Sequence, residues 1–521
     1  MESHYPSIFN DVIGPIMRGP SSSHCAAALR IGRLARDFMG GEVEEVLIEF
    51  DPNGSLVTTH ESQGSDMGLF GGLLGWEADD DRLVAAAHSI QKAGIKSQIK
   101  IVDYGAQHPN TYRITLRNRT QSHQLIALST GGGMVEIIEI DGVPLSIAGD
   151  YFETLIYIDA NEAEVIRQIE ENFSTDEIRL CRGKDTTFIE VKAQNYLSDD
   201  FCRAIDSKPE VLGVKKLAPV LPVLSRRGVS VPYLTCEEML EYNDRKNLDL
   251  WELAVIYESS RAGISEGHVW EKIANILRIM QNSITIGIAG TEFTDRILGC
   301  QSGDFKTQME AHKLLDGGML NRMVLYATAM MEVKSAMGVI VAAPTAGSCG
   351  VLPGACIGAA EFLDLGEKEI AKGLLAAGLV GIFIAARSTF AAEEAGCQAE
   401  CGAASGMASA ALVTLAKGNL PQAIGAASMA LQNIFGLVCD PVANRVEVPC
   451  LGKNVLAVSN ALSSANMALA GFDQVIPLDE VIAAMDAVGR SIPCALRCTA
   501  LGGLSVTPAS KEMEHKLKVS G

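Results

Sequence analysis

Residues 335–360 carry no charged side chain, and a second apolar run, Gly373–Ala386, follows closely. Such stretches have to be buried, in lipid or in protein. Pro344, Pro353 and five glycines interrupt the first run, which makes it a poor spanning helix. The second is shorter than the roughly 20 apolar residues a membrane crossing needs. Both read as buried segments of a soluble domain. The chain has 50 glycines and only 5% aromatic residues. Small side chains let backbones approach closely and leave room for a cofactor.

At roughly 150 residues per domain, a chain of 521 residues predicts about three. The expected fold class is multidomain. An α/β N-terminal domain (1–150) precedes a small ferredoxin-like βαββαβ domain (151–218), a linker (219–232) and a mainly α-helical C-terminal domain (233–521). In the first, helix-like Cys25–Phe38 and Leu83–Ala93 alternate with strand-like Val43–Phe50, Ile95–Val102, Tyr112–Arg117, Leu125–Ser129 and Met134–Ile140. In the second, strand Thr154–Ile158, helix Glu162–Asn172, strands Glu177–Cys181 and Thr186–Val191, helix Ser198–Ser207 and strand Val211–Leu217 make the split βαβ pattern. Pro219, Pro222 and Pro232 mark the linker. Thr235–Glu238 is a capping box opening the helical part. Residues 511–521 are polar and expected to fray.

Lys and Arg number 43 against 63 Asp and Glu, a formal net charge of −20. That balance argues against nucleic acid and against anionic membrane surfaces, since both need clustered cations. A small anionic substrate in a local pocket stays open. Met1–Asn10 lacks the apolar core of a secretory signal, so a cytoplasmic location and reduced thiols are expected. The 13 cysteines are then candidates for metal binding or catalysis. Three lie in loop-like contexts beside Gly or Pro: Gly396-Cys397-Gln398, Cys439-Asp440-Pro441 and Pro449-Cys450. Three thiolates on a four-iron cluster would leave one iron open for Lewis-acid chemistry on a hydroxyl. On spacing alone, buried thiols that only pack are the commoner case. No Cys-x-x-Cys pair occurs, which argues against tetrahedral zinc.

Longer motifs narrow the choice. Pro344-Thr-Ala-Gly-Ser-Cys-Gly350, Gly396-Cys-Gln-Ala-Glu-Cys401 and Cys439-Asp-Pro-Val-Ala-Asn-Arg-Val-Glu-Val-Pro-Cys450 resemble the α region of the iron–sulfur-dependent L-serine dehydratases. Gly19-Pro-Ser-Ser-Ser-His24 resembles their β region, and the resemblance covers essentially the whole chain. It implies L-serine as substrate, pyruvate and ammonia as products, and a [4Fe–4S] cluster. The family's cluster ligands sit in the Gly-Cys-Gln, Cys-Asp-Pro and Pro-Cys contexts, which carries that role to Cys397, Cys439 and Cys450. Cys349 and Cys401 are candidates for the surroundings of the cluster. No pyridoxal phosphate is expected, because no Schiff-base lysine pairs convincingly with a glycine-rich phosphate loop. A homodimer is expected.

Ser21, Ser22, Ser23 and His24 precede an Ala-rich helix, where hydroxyls and free N–H groups favour an anion. A plain N-cap is the alternative. By resemblance this segment binds the substrate carboxylate, with His24 adding charge or a hydrogen bond. The loop His108-Pro109-Asn110-Thr111 also looks shared with the family. His108 thereby joins His24 as a catalytic candidate and Asn110 joins the substrate-binding set, whereas alone the motif reads as a turn. Thr130–Gly133 reads as a turn rather than an anion nest, and Lys334 as a solvated helix charge. Many family members carry Gly-His-Gly-Thr-Asp where this chain has Ser62-Gln63-Gly64-Ser65-Asp66. Gln63 cannot accept a proton in that histidine's place, so the base is open, and His60 is the nearby substitute. The middle domain resembles an ACT-type regulatory domain. Asn161-Glu-Ala163 replaces the usual Pro-Gly turn of its first helix, so a packing role stands beside effector binding. The competing readings are a dehydratase of a related hydroxy-amino acid and an iron–sulfur amino-acid sensor or electron carrier.

Overall fold

In the computed structural model, which describes residues 5–520, the uncharged stretch is divided among several elements. Residues 1–4 of the polar N-terminal segment lie outside the described residues. Helix Met319–Ser335 ends where the stretch begins. Ile340–Val341 pairs antiparallel with Ile16–Met17, and helix Val351–Phe362 takes most of the remainder. Glycines let this helix lie directly on Met319–Ser335. A Cβ on Gly354 would stand 2.9 Å from the Met323 carbonyl oxygen, and one on Gly358 3.0 Å from Met323 Cα. The second apolar run forms the buried part of helix Glu367–Ala385. Among the described residues, no helix is long and apolar enough to cross a membrane.

The alternating pattern of the first 150 residues builds a six-stranded sheet. Its order is Lys96–Ile101, Glu45–Phe50, Thr111–Arg117, Ser122–Gly131, Met134–Ile140, Val143–Ile147. Only the first pair is parallel. Helix Ala27–Phe38 covers one face, packing Ile31, Leu34 and Phe38 against Val46, Ile48 and Leu125. Strand Val143–Ile147 and helix Ser65–Leu73 go beyond the sequence reading. That helix crosses Ala27–Phe38 almost backbone to backbone. A Cβ on Gly32 would fall 2.4 Å from the Leu69 carbonyl oxygen, and one on Gly72 2.1 Å from that of Leu29.

The next six elements follow the expected βαββαβ order. Their strands lie as Val211–Leu217, Phe152–Ile158, Thr187–Ala193, Glu177–Arg182, with every neighbouring pair antiparallel. This is the split βαβ arrangement. Val165 and Ile169 from one helix and Cys202 and Ile205 from the other close its small core over Ile156, Ile189 and Val191.

Residues 219–232 contain no helix or strand, yet they are fastened. The Asn10 side chain donates to Val223 O at 2.7 Å and accepts the Val223 N–H at 3.0 Å. Thr235 and Glu238 complete both halves of the capping box. Beyond them the helices share one large apolar core, to which Ile8, Phe9, Val12 and Ile13 also belong. Val12 sits so close to helix Glu367–Ala385 that a Cβ on Gly381 would meet its Cγ1 at 2.1 Å. Where fraying is expected, the C-terminal residues through 520 take a regular form. Pro508–Ser520 is helical, anchored where the buried Ser510 Oγ accepts the Ala443 N–H at 2.8 Å.

Gly32→Ala is expected to cost about 1–3 kcal/mol, because the Leu69 backbone cannot move aside alone. Gly267→Ala, in helix Glu266–Ala289, would meet only Ser265 Oγ at 3.6 Å, and should be neutral or stabilising by up to about 1 kcal/mol. Denaturant titration of both variants measures the difference.

Candidate active site

Gly396 has φ +73°, and a Cβ on it would lie 2.8 Å from the Leu437 carbonyl oxygen. Only glycine allows this approach. Gln398 N then bonds to Leu437 O at 3.0 Å, which sets Cys397 beside Cys439. Cys439 is itself fixed by two backbone bonds, Cys439 N to Leu496 O at 2.8 Å and Cys498 N to Cys439 O at 2.9 Å. The Cys397 and Cys439 sulfurs and a Glu400 carboxylate oxygen all lie within 4.8 Å of one another, a group able to hold a metal ion. Cys498 shares the same buried cluster with Cys397 and Cys439. Cys450 opens helix Cys450–Leu469 on the flank, near enough for its charge to couple to those of Cys397, Glu400, Lys334 and Lys453. Two of the three thiols selected from the sequence thus form the tight group and the third stands beside it. Glu400 and Cys498 are additions. Glu400 carried a signal, being three residues after Cys397 and so on the same helical face. Cys498 carried none. Cys401 Sγ lies 3.8 Å from Gly347 O and 3.7 Å from Asn454 Nδ2, and Cys349 Sγ 3.7 Å from Met331 Sδ.

Burial pushes the Cys450 and Cys401 thiols well up. Cys439 is raised first by sulfur hydrogen bonding with Cys397 and Cys498, then by burial. A bound metal cation reverses that preference, since it favours thiolate. Burial also lifts the Glu400 carboxyl to about 7, although Thr345 Oγ1 donates to it at 2.7 Å. Two ammonium groups flank the sulfurs. Lys453 Nζ donates to Val438 O at 2.6 Å and Asp440 Oδ1 at 3.0 Å, and stands 3.7 Å from Cys397 Sγ. Burial opposes its charge, but the Cys397, Cys439 and Cys450 sulfurs and Asp440 outweigh it and keep the ammonium above its usual range. Lys334 is not the solvated charge expected from its helix. It is fully buried, and its Nζ has no hydrogen-bond partner among the described residues. A sulfur-rich donor group between one paired and one orphaned ammonium fits a thiolate-held metal group of net negative charge.

The serine-rich turn meets the segment that holds Glu400. Ser22 Oγ accepts the Ala346 N–H at 3.2 Å, next to the Thr345 that holds Glu400. Ser23 Oγ donates to Glu393 Oε1 at 2.8 Å. His24 Nδ1 lies 3.1 Å from Ser21 Oγ, 3.0 Å from Ser23 Oγ and 3.5 Å from Glu393. Its Nε2 lies 2.8 Å from Thr59 Oγ1, which donates its own proton to Ser55 O at 2.7 Å. Thr59 must therefore accept from Nε2–H, and Nδ1 accepts from a serine hydroxyl. Burial lowers the His24 pKa, against the pull of Glu393, so His24 enters as a neutral hydrogen-bonding group rather than as a charge.

His60 Nδ1 lies 2.9 Å from both carboxylate oxygens of Asp66. Burial works to lower its pKa, but Asp66 and Glu61 outweigh burial and raise it. Gln63 is buried and donates to Cys498 Sγ at 3.5 Å. The position faces the thiols even though its side chain cannot take a proton. His108 Nδ1 accepts the Asn110 N–H at 3.1 Å, and its Nε2 donates to Glu394 Oε1 at 3.1 Å. Asn110 accepts from Ser55 Oγ, while its fully buried Nδ2 has no partner among the described residues. Glu393 and Glu394 were not legible as site residues, lying in a short helix of ordinary composition. Thr130–Gly133 is the hairpin turn expected, with Gly131 paired to Met134.

The serine dehydratase alpha chain family model matches residues 245–505. The chain is 37% identical over 281 residues to the probable L-serine dehydratase, alpha chain, of Bacillus subtilis (strain 168), covering 54% of this chain and 94% of that protein. It is 31% identical over 220 residues to the probable L-serine dehydratase, beta chain, of the same organism, covering 41% and 99%. Against L-serine dehydratase 2 of Escherichia coli (strain K12) the identity is 26% over 399 residues, covering 73% and 84%.

Cys439→Ala should abolish uptake of iron by the anaerobically reconstituted chain, whereas Cys300→Ser, at an exposed thiol, should leave it unchanged. Iron and acid-labile sulfide per chain are the measurements.

Proposed function

The chain belongs to the serine dehydratase family, and from that membership we propose that it is an L-serine dehydratase, which eliminates water from L-serine and yields pyruvate and ammonia. The observation that carries the reading is the junction of the Ser21–His24 turn with the thiol-bearing segment through Ser23 and Glu393. In this reading Cys397, Cys439 and Cys450 hold a [4Fe–4S] cluster, which when bound supplies Lewis-acid chemistry for a hydroxyl leaving group. The Ser21–Ser23 turn binds the substrate carboxylate through the N–H groups that open the following helix and through the Ser22 hydroxyl, while the Ser21 and Ser23 hydroxyls are held by His24 and Glu393. The partnerless Asn110 Nδ2 donates a further bond, and His108 positions Asn110 through its backbone N–H. His24 stays neutral and orients the serine hydroxyls. His60 is the base. With Nδ1 bonded to Asp66, the Nε2 lone pair accepts the α-proton. The aminoacrylate left by loss of water tautomerises and is hydrolysed to pyruvate and ammonia. The unit 151–218 is read as ACT-like on its strand order, and the segments 1–150, 151–218 and 233–521, joined by 219–232, as the domains.

One observation favours a second reading. Cys498 lies with Cys397 and Cys439, and a permanent fourth thiolate would suit an electron carrier or amino-acid sensor. Cys498→Ser separates the two readings. A dehydratase should keep its iron and its serine-dependent pyruvate formation, whereas a closed site should lose iron. The direct test is pyruvate formation from L-serine by the anaerobically purified chain with its iron quantified. No pyruvate at full iron content would overturn the proposal.

Because His60 must be unprotonated to act, activity should rise with pH through its raised pKa. Asp66→Asn removes the group that raises it, so the acid limb of the kcat/KM profile should move to lower pH, and the maximum should fall by roughly 10²–10⁴-fold if the base is misoriented. An unchanged acid limb would remove His60 from the role.

A further inference from the structure

Lys334 presents an unsolved electrostatic problem. Its side chain is fully buried and its Nζ has no acceptor among the described residues. Leaving an ammonium in such a place is unfavourable unless an anion faces it. The carboxylate nearest in sequence, Glu332, is spent elsewhere, accepting the N–H groups of Gln301 and Ser302 at 2.9 and 3.0 Å.

The surroundings of Lys334 are set by its helix face. Met331 lies one turn earlier, on the same face, and touches Cys349 Sγ at 3.7 Å. The next residue, Gly350, donates its N–H to Asn454 Oδ1 at 3.0 Å, and Asn454 Nδ2 returns to Cys450 O at 2.8 Å. The end of helix Met319–Ser335 is thereby packed against the first turn of helix Cys450–Leu469. The sulfurs of Cys349 and Cys450 lie within reach of the Lys334 charge. The other lysine of the region, Lys453, already has Val438 O and Asp440 as partners.

We propose that Lys334 is a positioning residue for the metal centre, its ammonium serving as the internal counter-charge of the anionic group that Cys450 helps to hold. The inference rests on the reading of Cys397, Cys439 and Cys450 as holders of an iron–sulfur group. A thiolate-held cluster carries net negative charge in a buried site, and charge nearby sets both how firmly it is kept and its reduction potential. The orphan is thus one half of an ion pair.

The test uses the full chain, reconstituted anaerobically, in three forms: wild type, Lys334→Met and Lys334→Arg. Wild type without iron would defeat the reading of the cysteines, whatever Lys334 does. With wild type loaded, Lys334→Met should lose iron to a chelator about 10–100-fold faster, and the midpoint potential of the remaining centre should move to more negative values. Its metal-free form should melt no lower than wild type, because a desolvated charge has been removed. Lys334→Arg keeps the charge and should hold the potential near the wild-type value. Unchanged iron loss and potential in Lys334→Met would overturn the proposal, as would a Lys334→Arg chain whose potential falls as far as that of Lys334→Met. Should the Met variant fail to fold, the Arg variant and Lys334→Gln carry the same comparison.

Discussion

The hydroxyl of Ser23 gives its proton to Glu393 across 370 positions of sequence, and the rest of the site is arranged by that donation. With its proton committed, Ser23 cannot also donate to His24, so Ser21 must. His24 then carries its own proton on Nε2 and passes the obligation to Thr59, Thr59 to Ser55 O, and the Ser55 hydroxyl to Asn110. Each group has one proton to give and one direction in which to give it. Buried polar chains of this kind are costly if one member is unpaired and rigid if all are paired. Asn110 Nδ2, at the end of this relay, has no partner among the described residues and marks where a ligand acceptor belongs.

Rigidity of that order needs helices that cannot slide. The chain secures it with glycine rather than bulk. Gly32, Gly72, Gly354 and Gly381 each sit where a single carbon would collide with a neighbouring element. Close contacts of this type define relative position sharply, since interiors are packed as densely as organic crystals. The low aromatic content follows: large rings would hold the helices apart.

The sequence pattern carried the βαββαβ unit almost residue for residue, because its elements are short and its helices each keep one buried face, as in Val165 and Ile169 against Ile156 and Ile189. Helix Ser65–Leu73 was not legible, since Gly68, Gly71 and Gly72 interrupt the segment and no side chain caps it; only the close approach to helix Ala27–Phe38 and its neighbours makes those glycines favourable. Cys397, Cys439 and Cys450 stood out by their Gly and Pro contexts only weakly and were selected by resemblance; the fold brings Cys397 and Cys439 together with Glu400. Glu393, Glu394, Cys498 and the burial of Lys334 were not legible. Their importance comes from partners far away in the chain, and no local period encodes that. His24 was visible as a candidate, but its neutrality follows from complete burial, which only the fold supplies.

The arrangement also bears on why both regions occupy one chain. The relatives in Bacillus subtilis are an alpha chain and a beta chain, and this chain covers 94% of the first and 99% of the second. The site described here takes Ser21–His24, His60 and Gln63 from one region and Glu393, Cys397 and Cys439 from the other, so neither region holds a complete set. Separate chains must find each other at cellular concentration. A tether turns that step into an intramolecular one, with an effective concentration of about millimolar for a short flexible link. Residues 219–232 do more than tether, because Asn10 clamps Val223 at both its N–H and its carbonyl. Asn10 sits beside Ile8, Phe9, Val12 and Ile13, which are already buried in the helical core. The N-terminal segment, the link and the helices are therefore fixed to one another before any substrate arrives. The serine turn, which follows that segment by only a few residues, is held in place by the same contacts.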